Sequence, residues 1–296
     1  MDENKIFFAL FVSYNRHYSA MKFLRFLGFF SAAVLAVSCN DTNYFYAEIP
    51  VNSAVDAPPV SGQFQKNVLI EDYTGTWCGN CTRVSWGIER VLDVTDRAVV
   101  VAIHNGNDPY HFDDYMPLKN LISPAHDLEL PQARLNRVIN WIDPDTNTQD
   151  VVNLTSNNCG LGIAMSSTVA NNMIDLDVSV KFAQNFSNLK LVVYVLEDNL
   201  VHPQINYATY YGGVHRILDF EHDHVLRASL THVLGNPISG TDFDQTVTTS
   251  FSVPVPADIA NAENMSFVAI VTDAGNNALN SRSAYPNQTQ SFQENP

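Results

Sequence analysis

Basic residues are scarce in this chain of 296 residues. Lys and Arg number 16 against 31 Asp and Glu, a formal net charge of −15. A surface of that sign disfavours nucleic acid and is not drawn to anionic lipid heads, so partners of either kind held by charge are poor readings. Cysteine is scarce too, with four in the chain. Cys39 and Cys159 are isolated, so the second close pair that a four-ligand zinc site needs is missing. The apolar run Phe26–Val37 falls short of the ~20 residues of a membrane-spanning helix. No nucleophile elbow, phosphate-binding glycine loop or dinucleotide fingerprint occurs, which makes hydrolase, kinase and dehydrogenase readings poor.

What is present is Trp77-Cys78-Gly79-Asn80-Cys81, directly after the apolar run Val68-Leu69-Ile70 and the turn Thr74-Gly75-Thr76. The order predicts strand, turn, CxxC and then a helix over Gly79–Val94, with Val84, Ile88, Val91 and Leu92 on one face. Two cysteines three apart can close a small disulfide ring. If Cys78 opens the helix, the amide donors there stabilise its thiolate. The same spacing also serves an inert structural disulfide, and that alternative stays open.

Here the chain resembles the thioredoxin superfamily, which carries an acid in its first strand, Trp-Cys-Gly-x-Cys at its end and a cis-proline further on. The resemblance implies that Cys78 attacks as thiolate and Cys81 resolves the mixed disulfide. It implies that Trp77 packs against the pair and that Asp72 assists proton transfer to or from Cys81. It implies too that Pro131, in Leu130-Pro131-Gln132, is the cis-proline presenting backbone to a substrate chain. Pro131 reads equally as a helix stop, and Asp72 as an exposed strand-end acid. Asn80 replaces the proline commonest at that position, which leaves the redox potential open.

The N-terminus supplies an address. Met21-Lys22-Phe23-Leu24-Arg25 and the apolar run have the form of a secretory signal. The run ends in Leu35-Ala36-Val37-Ser38-Cys39, which resembles a bacterial lipobox with Ala36 where Leu is commonest. The resemblance implies that Cys39 is lipidated as the first mature residue; an uncleaved anchor or a soluble secretory signal are the alternatives. The true start is expected at Met21. Segment 39–63, with Pro58-Pro59 and Ser61-Gly62, reads as a flexible tether. Removing residues 1–38 takes away four basic and two acidic residues, leaving 12 against 29, or −17. One lipid site, one pair and one buried leftover thiol (Cys159) suit an oxidising compartment.

Two grammars follow. Residues 64–150 alternate strand and helix, with the buried-strand run Arg97–Ile103, a loop Asn105–Asp113, a helix over Asp114–His126 and an extended Arg134–Val138. That space is tight for a closing hairpin and helix, so the far edge is expected to be shortened. Residues 151–296 lose their helices: Met173–Val180 alternates as a half-buried strand, and about seven strands in all suit an immunoglobulin-like sandwich. The expected fold is therefore an α/β thioredoxin-like domain followed by an all-β sandwich domain. That order behind a lipoprotein signal, with Glu221-His222-Asp223-His224-Val225-Leu226-Arg227, resembles the "twenty-eight-kilodalton outer-membrane protein" family. The resemblance implies an outer-membrane lipoprotein, facing the periplasm or the cell surface, with an adhesin or receptor role.

Other chemistry is weaker. His222 and His224 fall on one strand face, where two imidazoles with His202 or His215 suit a metal, or more simply an interface. Asp143-Pro144-Asp145 opens like a calcium loop but lacks the later ligands, so a turn is the better reading. Tyr110, His111 and Phe112 either shape a partner surface or cover a hydrophobic edge. No cofactor and no metal is assigned. The leading expectation is thiol–disulfide exchange with protein thiols or disulfides of the envelope, and the alternative is a surface binding protein with a structural disulfide.

Overall fold

The computed structural model describes residues 61–155 and 157–296. The signal segment, Cys39 and nearly all of the tether lie outside the described residues. Strand β1 (Val68–Thr74) is buried along its whole length, as its apolar run demands, and is followed by α1 (Thr82–Leu92). Next come β2 (Ala98–His104), α2 (Tyr115–Ile122), the short hairpin β3 (Gln132–Leu135) and β4 (Ile139–Asn140), and α3 (Thr148–Thr155). The far edge is indeed shortened, since β4 has two residues. After it the chain is β-rich: β5 (Leu161–Ala170), β6 (Met173–Phe182), β7 (Lys190–Glu197), β8 (Val225–Ser229), β9 (Thr246–Pro254), β10 (Met265–Thr272) and β11 (Ala278–Ala284). No helix of the described residues is long and apolar enough to cross a membrane.

The expected break near residue 150 does not divide the sheets. The described residues all fall within one compact unit. One nine-stranded sheet runs β11-β10-β7-β8-β2-β1-β3-β4, with the two-residue strand Asn236–Pro237 also pairing with β7. The seam is the parallel pairing of β8 with β2, where Val225 faces Ala102 and the Ala102 N–H donates to the His224 carbonyl at 2.8 Å. Four of the strands expected in a separate sandwich thus continue the sheet begun by β1 and β2. Only β9, β6 and β5 form their own three-stranded sheet. The physical reason lies in β2. A strand buried on both faces still exposes one edge, and an open edge of that length pairs with whatever strand can reach it.

Strand alternation sorts the side chains into three cores. Leu191, Val193 and Val195 of β7 face Leu176, Val178 and Val180 of β6, so the three-stranded sheet covers one end of the large sheet. Val68 and Ile70 of β1 lie with Val84, Ile88 and Val91 of α1 and with Val151 of α3, so helices cover the other end. On the reverse face a single core runs through both halves: Leu69 and Tyr73 with Val192 and Tyr194, Ile270 of β10 and Leu118 of α2. That shared core, rather than the linker, makes the halves one unit.

A polar link crosses the same core. Arg137, fully buried at a positive φ of 72°, donates to Glu71 Oε1 at 2.8 and 2.9 Å and to the Tyr194 hydroxyl at 3.0 Å. Tyr194 in turn donates its hydroxyl to the Val233 carbonyl at 2.7 Å. Burial alone disfavours the guanidinium, but the Glu71 carboxylate beside it outweighs that and holds the Arg137 pKa above its ordinary value.

Candidate functional site

The CxxC loop leaves the end of β1, where the sheet runs out of partners and the turn Thr74-Gly75-Thr76 redirects the chain. Cys78 and Cys81 are joined as a disulfide. The helix begins later than the sequence pattern suggests, at Thr82, with Cys81 as its N-cap. The Cys78 N–H donates to the Gly75 carbonyl (2.9 Å) and Cys81 N–H to the Cys78 carbonyl (3.2 Å), so a bonded turn precedes α1. Cys78 therefore stands a turn ahead of the helix. Because the dipole's influence is confined to the first turn, its benefit falls on Cys81 more than on Cys78. Cys78 is the less buried of the pair, but at 5% and 1% exposure both residues are buried.

Two segments hold this loop. The loop after β2 approaches from one side: Trp77 Nε1 donates to the Asn105 carbonyl at 2.9 Å, and the Thr76 N–H donates to Asp108 Oδ2 at 2.6 Å. Trp77 lies over Gly106, at φ 75°, and half of its surface remains exposed. Asp108 also accepts from the Tyr110 N–H (2.8 Å) and pairs with His104 Nδ1 (3.1 Å). Burial opposes its ionisation, but the His104 imidazole and these N–H donors prevail and bring the carboxyl down to about 2.

The other segment comes from far along the chain. Between β7 and β8 the chain makes a hairpin in which Leu200–Val201 pairs with Glu221–His222 and Gln204–Ile205 with Arg216–Ile217. Its first arm lies on the CxxC loop. The Ile205 N–H donates to the Thr76 carbonyl (2.9 Å) and the Tyr207 N–H to the Gly79 carbonyl (2.7 Å). Gln204 Nε2 donates to the Cys78 carbonyl at 3.0 Å, with Gly75 at 3.3 Å. Thr82, the first residue of α1, donates its hydroxyl to Asn206 Oδ1 at 2.8 Å. Gly79 has no room for a side chain, because a Cβ there would sit 2.4 Å from the Tyr207 ring.

Behind the loop, Asp72 is buried, with Oδ1 lacking a partner among the described residues. Burial pushes its carboxyl up from 3.8 to about 8, so it holds a proton at neutral pH. It lines a cavity of about 110 Å³ together with Glu89, His104, Gln204, Phe220 and His222. Burial, with the neighbouring His104, lowers His222 to about 4 and keeps it neutral. The Leu130–Pro131 bond is cis, and Gln132 next to it pairs with Tyr73, at the end of β1 that leads into the CxxC loop. Asp72, Trp77, Cys78, Cys81 and Pro131 are thus gathered about one end of β1. Cys39 lies outside the described residues.

The histidine segment differs from its expected form. His222 ends a two-residue strand and is buried, whereas His224 has a positive φ of 58° and pairs with Asp198 at 3.4 Å. The turn breaks the alternation, so the two imidazoles do not share a strand face. No cluster of three or more metal-ligating side chains occurs among the described residues. Asp145 is engaged by Arg83 at 2.9 and 3.0 Å and by the Tyr210 hydroxyl at 2.9 Å, which leaves the Asp143–Asp145 segment as a turn. In the segment Tyr110–Phe112, Phe112 is buried in the reverse-face core. Cys159 is buried with its Sγ 3.3 Å from the Leu279 carbonyl, and burial raises its pKa. Sequence reasoning missed Asp108, Gln204, Asn206 and Tyr207. The Asn-Asp-Pro turn signals Asp108 weakly, and nothing local signals the other three.

Fold and site define a mostly β protein in which a CxxC disulfide lies in a loop bonded to a hairpin from the distant half of the chain. The chain belongs to the Omp28 family, "Outer membrane protein Omp28", whose model matches residues 126–290, more than half of its length. It is an outer-membrane protein. Among solved structures it is similar to HBP35 of Porphyromonas gingivalis, at 19% identity and a TM-score of 0.57 over 79% of this chain and 81% of that one. That likeness concerns the fold. A protein of Agrobacterium tumefaciens matches at 14% identity and TM-score 0.46, over 79% of this chain and 99% of that one. A domain of the outer membrane lipoprotein Omp28 from Porphyromonas gingivalis matches at 17% identity and TM-score 0.29, over 44% and 89%. No curated protein matches the chain.

Proposed function

We propose that the protein is a lipid-anchored thiol–disulfide exchange protein of the outer membrane. In this reading Cys39 carries the lipid, residues 64–150 act as a thioredoxin-like module, and the immunoglobulin-like β-rich remainder, 151–296, holds or selects the partner protein. The observation that carries the reading is Asp72. A buried carboxyl with an unpartnered oxygen and a pKa of about 8 weakens the fold at neutral pH. It is suited, however, to storing a proton beside a site that needs one.

The exchange is a two-electron balance. A client thiolate attacks Sγ of Cys78, the Cys78–Cys81 bond breaks, and the electron pair leaves on Cys81. Asp72 supplies the proton that Cys81 takes up. A second client thiolate then displaces Cys78, leaving a client disulfide and a reduced pair. In the reverse direction Cys78 attacks as thiolate and Cys81 resolves. Trp77 packs beside the pair, and the backbone at Pro131 meets the client chain.

Insulin reduction and trapping of mixed disulfides test this. Cys78→Ser is expected to abolish turnover and to trap poorly, whereas Cys81→Ser traps well. If the pair resists millimolar glutathione and neither variant traps a partner, exchange is refuted. The second reading, a surface binding protein with a structural disulfide, then takes its place. One observation favours that rival: both cysteines are buried, in a loop to which the hairpin is bonded.

A further inference from the structure

The hairpin of residues 200–222 resolves the tension between a proton-storing carboxyl and a buried disulfide. Its first arm meets the CxxC loop as an extended peptide would, through alternate backbone N–H groups. Ile205 donates to Thr76 and Tyr207 to Gly79, two residues apart on the hairpin arm and three apart on the loop. Between them Gln204 reaches the Cys78 carbonyl, and the Tyr207 ring lies against Gly79 although 62% of Tyr207 is exposed. An aromatic ring that stays largely in water while covering a glycine adds little to any core. Its measurable consequence is the cover it provides over the loop.

The hairpin keeps four of its residues buried, Leu200, Gln204, Asn206 and His222, and its outer anchors are half-buried aromatic contacts on α1. Tyr210 stacks on Trp86 of α1 at 4.9 Å and 10°, and Tyr211 donates to Glu89 Oε1 at 2.7 Å. None of the hairpin's residues belongs to the three buried clusters described above. An element held by rim contacts, a few backbone bonds and the buried amides of Gln204 and Asn206, with no share in an apolar core, opens locally at a lower cost than the sheet beneath it.

We propose that the 200–222 hairpin is an intramolecular occupant of a peptide-binding edge on the CxxC loop, a latch that an extended segment of a client polypeptide must displace before the disulfide reacts. This rests on the exchange reading for its consequence, but the latch itself can be tested without it. The substrate class follows from the bonds to be replaced: an extended backbone that donates two alternate N–H groups to Thr76 and Gly79. A folded protein without such a segment is refused.

The test uses the full, oxidised chain. Reduction of Cys78–Cys81 by a phosphine is followed by alkylation and intact mass for wild type, Tyr207→Gly and Tyr210→Ala. Tyr210→Ala acts at the Trp86 anchor, away from the sulfurs, and circular dichroism verifies that each variant folds. Both variants are expected to be reduced at least about tenfold faster than wild type, since opening governs access. A synthetic peptide of residues 202–210, added to Tyr207→Gly, is expected to restore slow reduction by refilling the edge. Equal rates in the folded variants, or a wild type reduced as fast as the urea-unfolded chain, overturn the latch. Failure of the peptide to protect overturns the peptide-binding edge. Faster reduction without insulin turnover leaves the latch standing and refutes only the exchange reading.

Discussion

Asp72→Asn separates the cost of the buried acid from everything else at the site. In the folded chain the carboxyl titrates near pH 8, against 3.8 in the ordinary state that the unfolded chain approaches. Below pH 4 both states hold the proton and the full stability is present. Between pH 4 and 8 the unfolded chain releases the proton while the folded chain keeps it, so stability falls as pH rises through that window. Each pKa unit is worth 1.36 kcal/mol, and at pH 7 the interval spans about three units, or about 4 kcal/mol at most. Asparagine never ionises, and it loses no hydrogen bond through Oδ1, which has no partner among the described residues. The variant is therefore expected to be more stable than wild type at pH 7.5 by about 3–4 kcal/mol, and to show little difference at pH 4. Urea unfolding at half-unit steps from pH 4 to 8 reads this directly as a divergence of the two stability curves. Parallel curves across that range would refute the argument, because they would mean that no proton is linked to folding at this residue. Under the exchange reading the stabilised variant should also turn over insulin more slowly.

The remaining predictions concern packing and address. Gly87→Ala should destabilise by about 1–3 kcal/mol in thermal unfolding, even though alanine is the better helix former by about 1 kcal/mol. The new Cβ would sit 2.5 Å from the Pro144 backbone carbonyl, which cannot swing aside like a flexible side-chain tip. Glu71→Gln should cost about 3–5 kcal/mol by leaving the buried Arg137 without its counter-charge. In chemical denaturation a loss below ~1 kcal/mol would show that the pair is not what joins β1 to Tyr194. Cys39→Ala should release the protein from membrane fractions, and the mass of the wild-type mature chain should begin at a lipidated Cys39. A mature chain that retains earlier residues rules this out.

Much of the architecture could be read locally because the signals were local. The runs behind β1 and β2, the strict alternation of β6 and the apolar block of β10 produced strands close to where they were expected. Helix boundaries were less legible. Gly79 and Asn80 are compatible with a helix start, but Cys78 and Cys81 bond to each other and to the turn, and that pushed the first helical residue to Thr82. The alternation that placed His222 and His224 on one face failed for a similar reason, since His224 takes a left-handed conformation that no pattern of polarity announces. The supposed boundary near residue 150 was a change of grammar that no gap in the packing matches.

By itself the sequence determined the acidic surface, the CxxC after a buried strand and the acid six residues ahead of it. These depend on composition and on spacings of a few residues, which the backbone's own geometry converts into structure. Only tertiary structure decided that β8 would dock on the open edge of β2, and that a hairpin more than a hundred residues away would bond to the CxxC loop. Both are pairings of backbone groups between distant segments. A backbone N–H carries no side-chain signature, so which carbonyl it meets is settled by the way the layers pack.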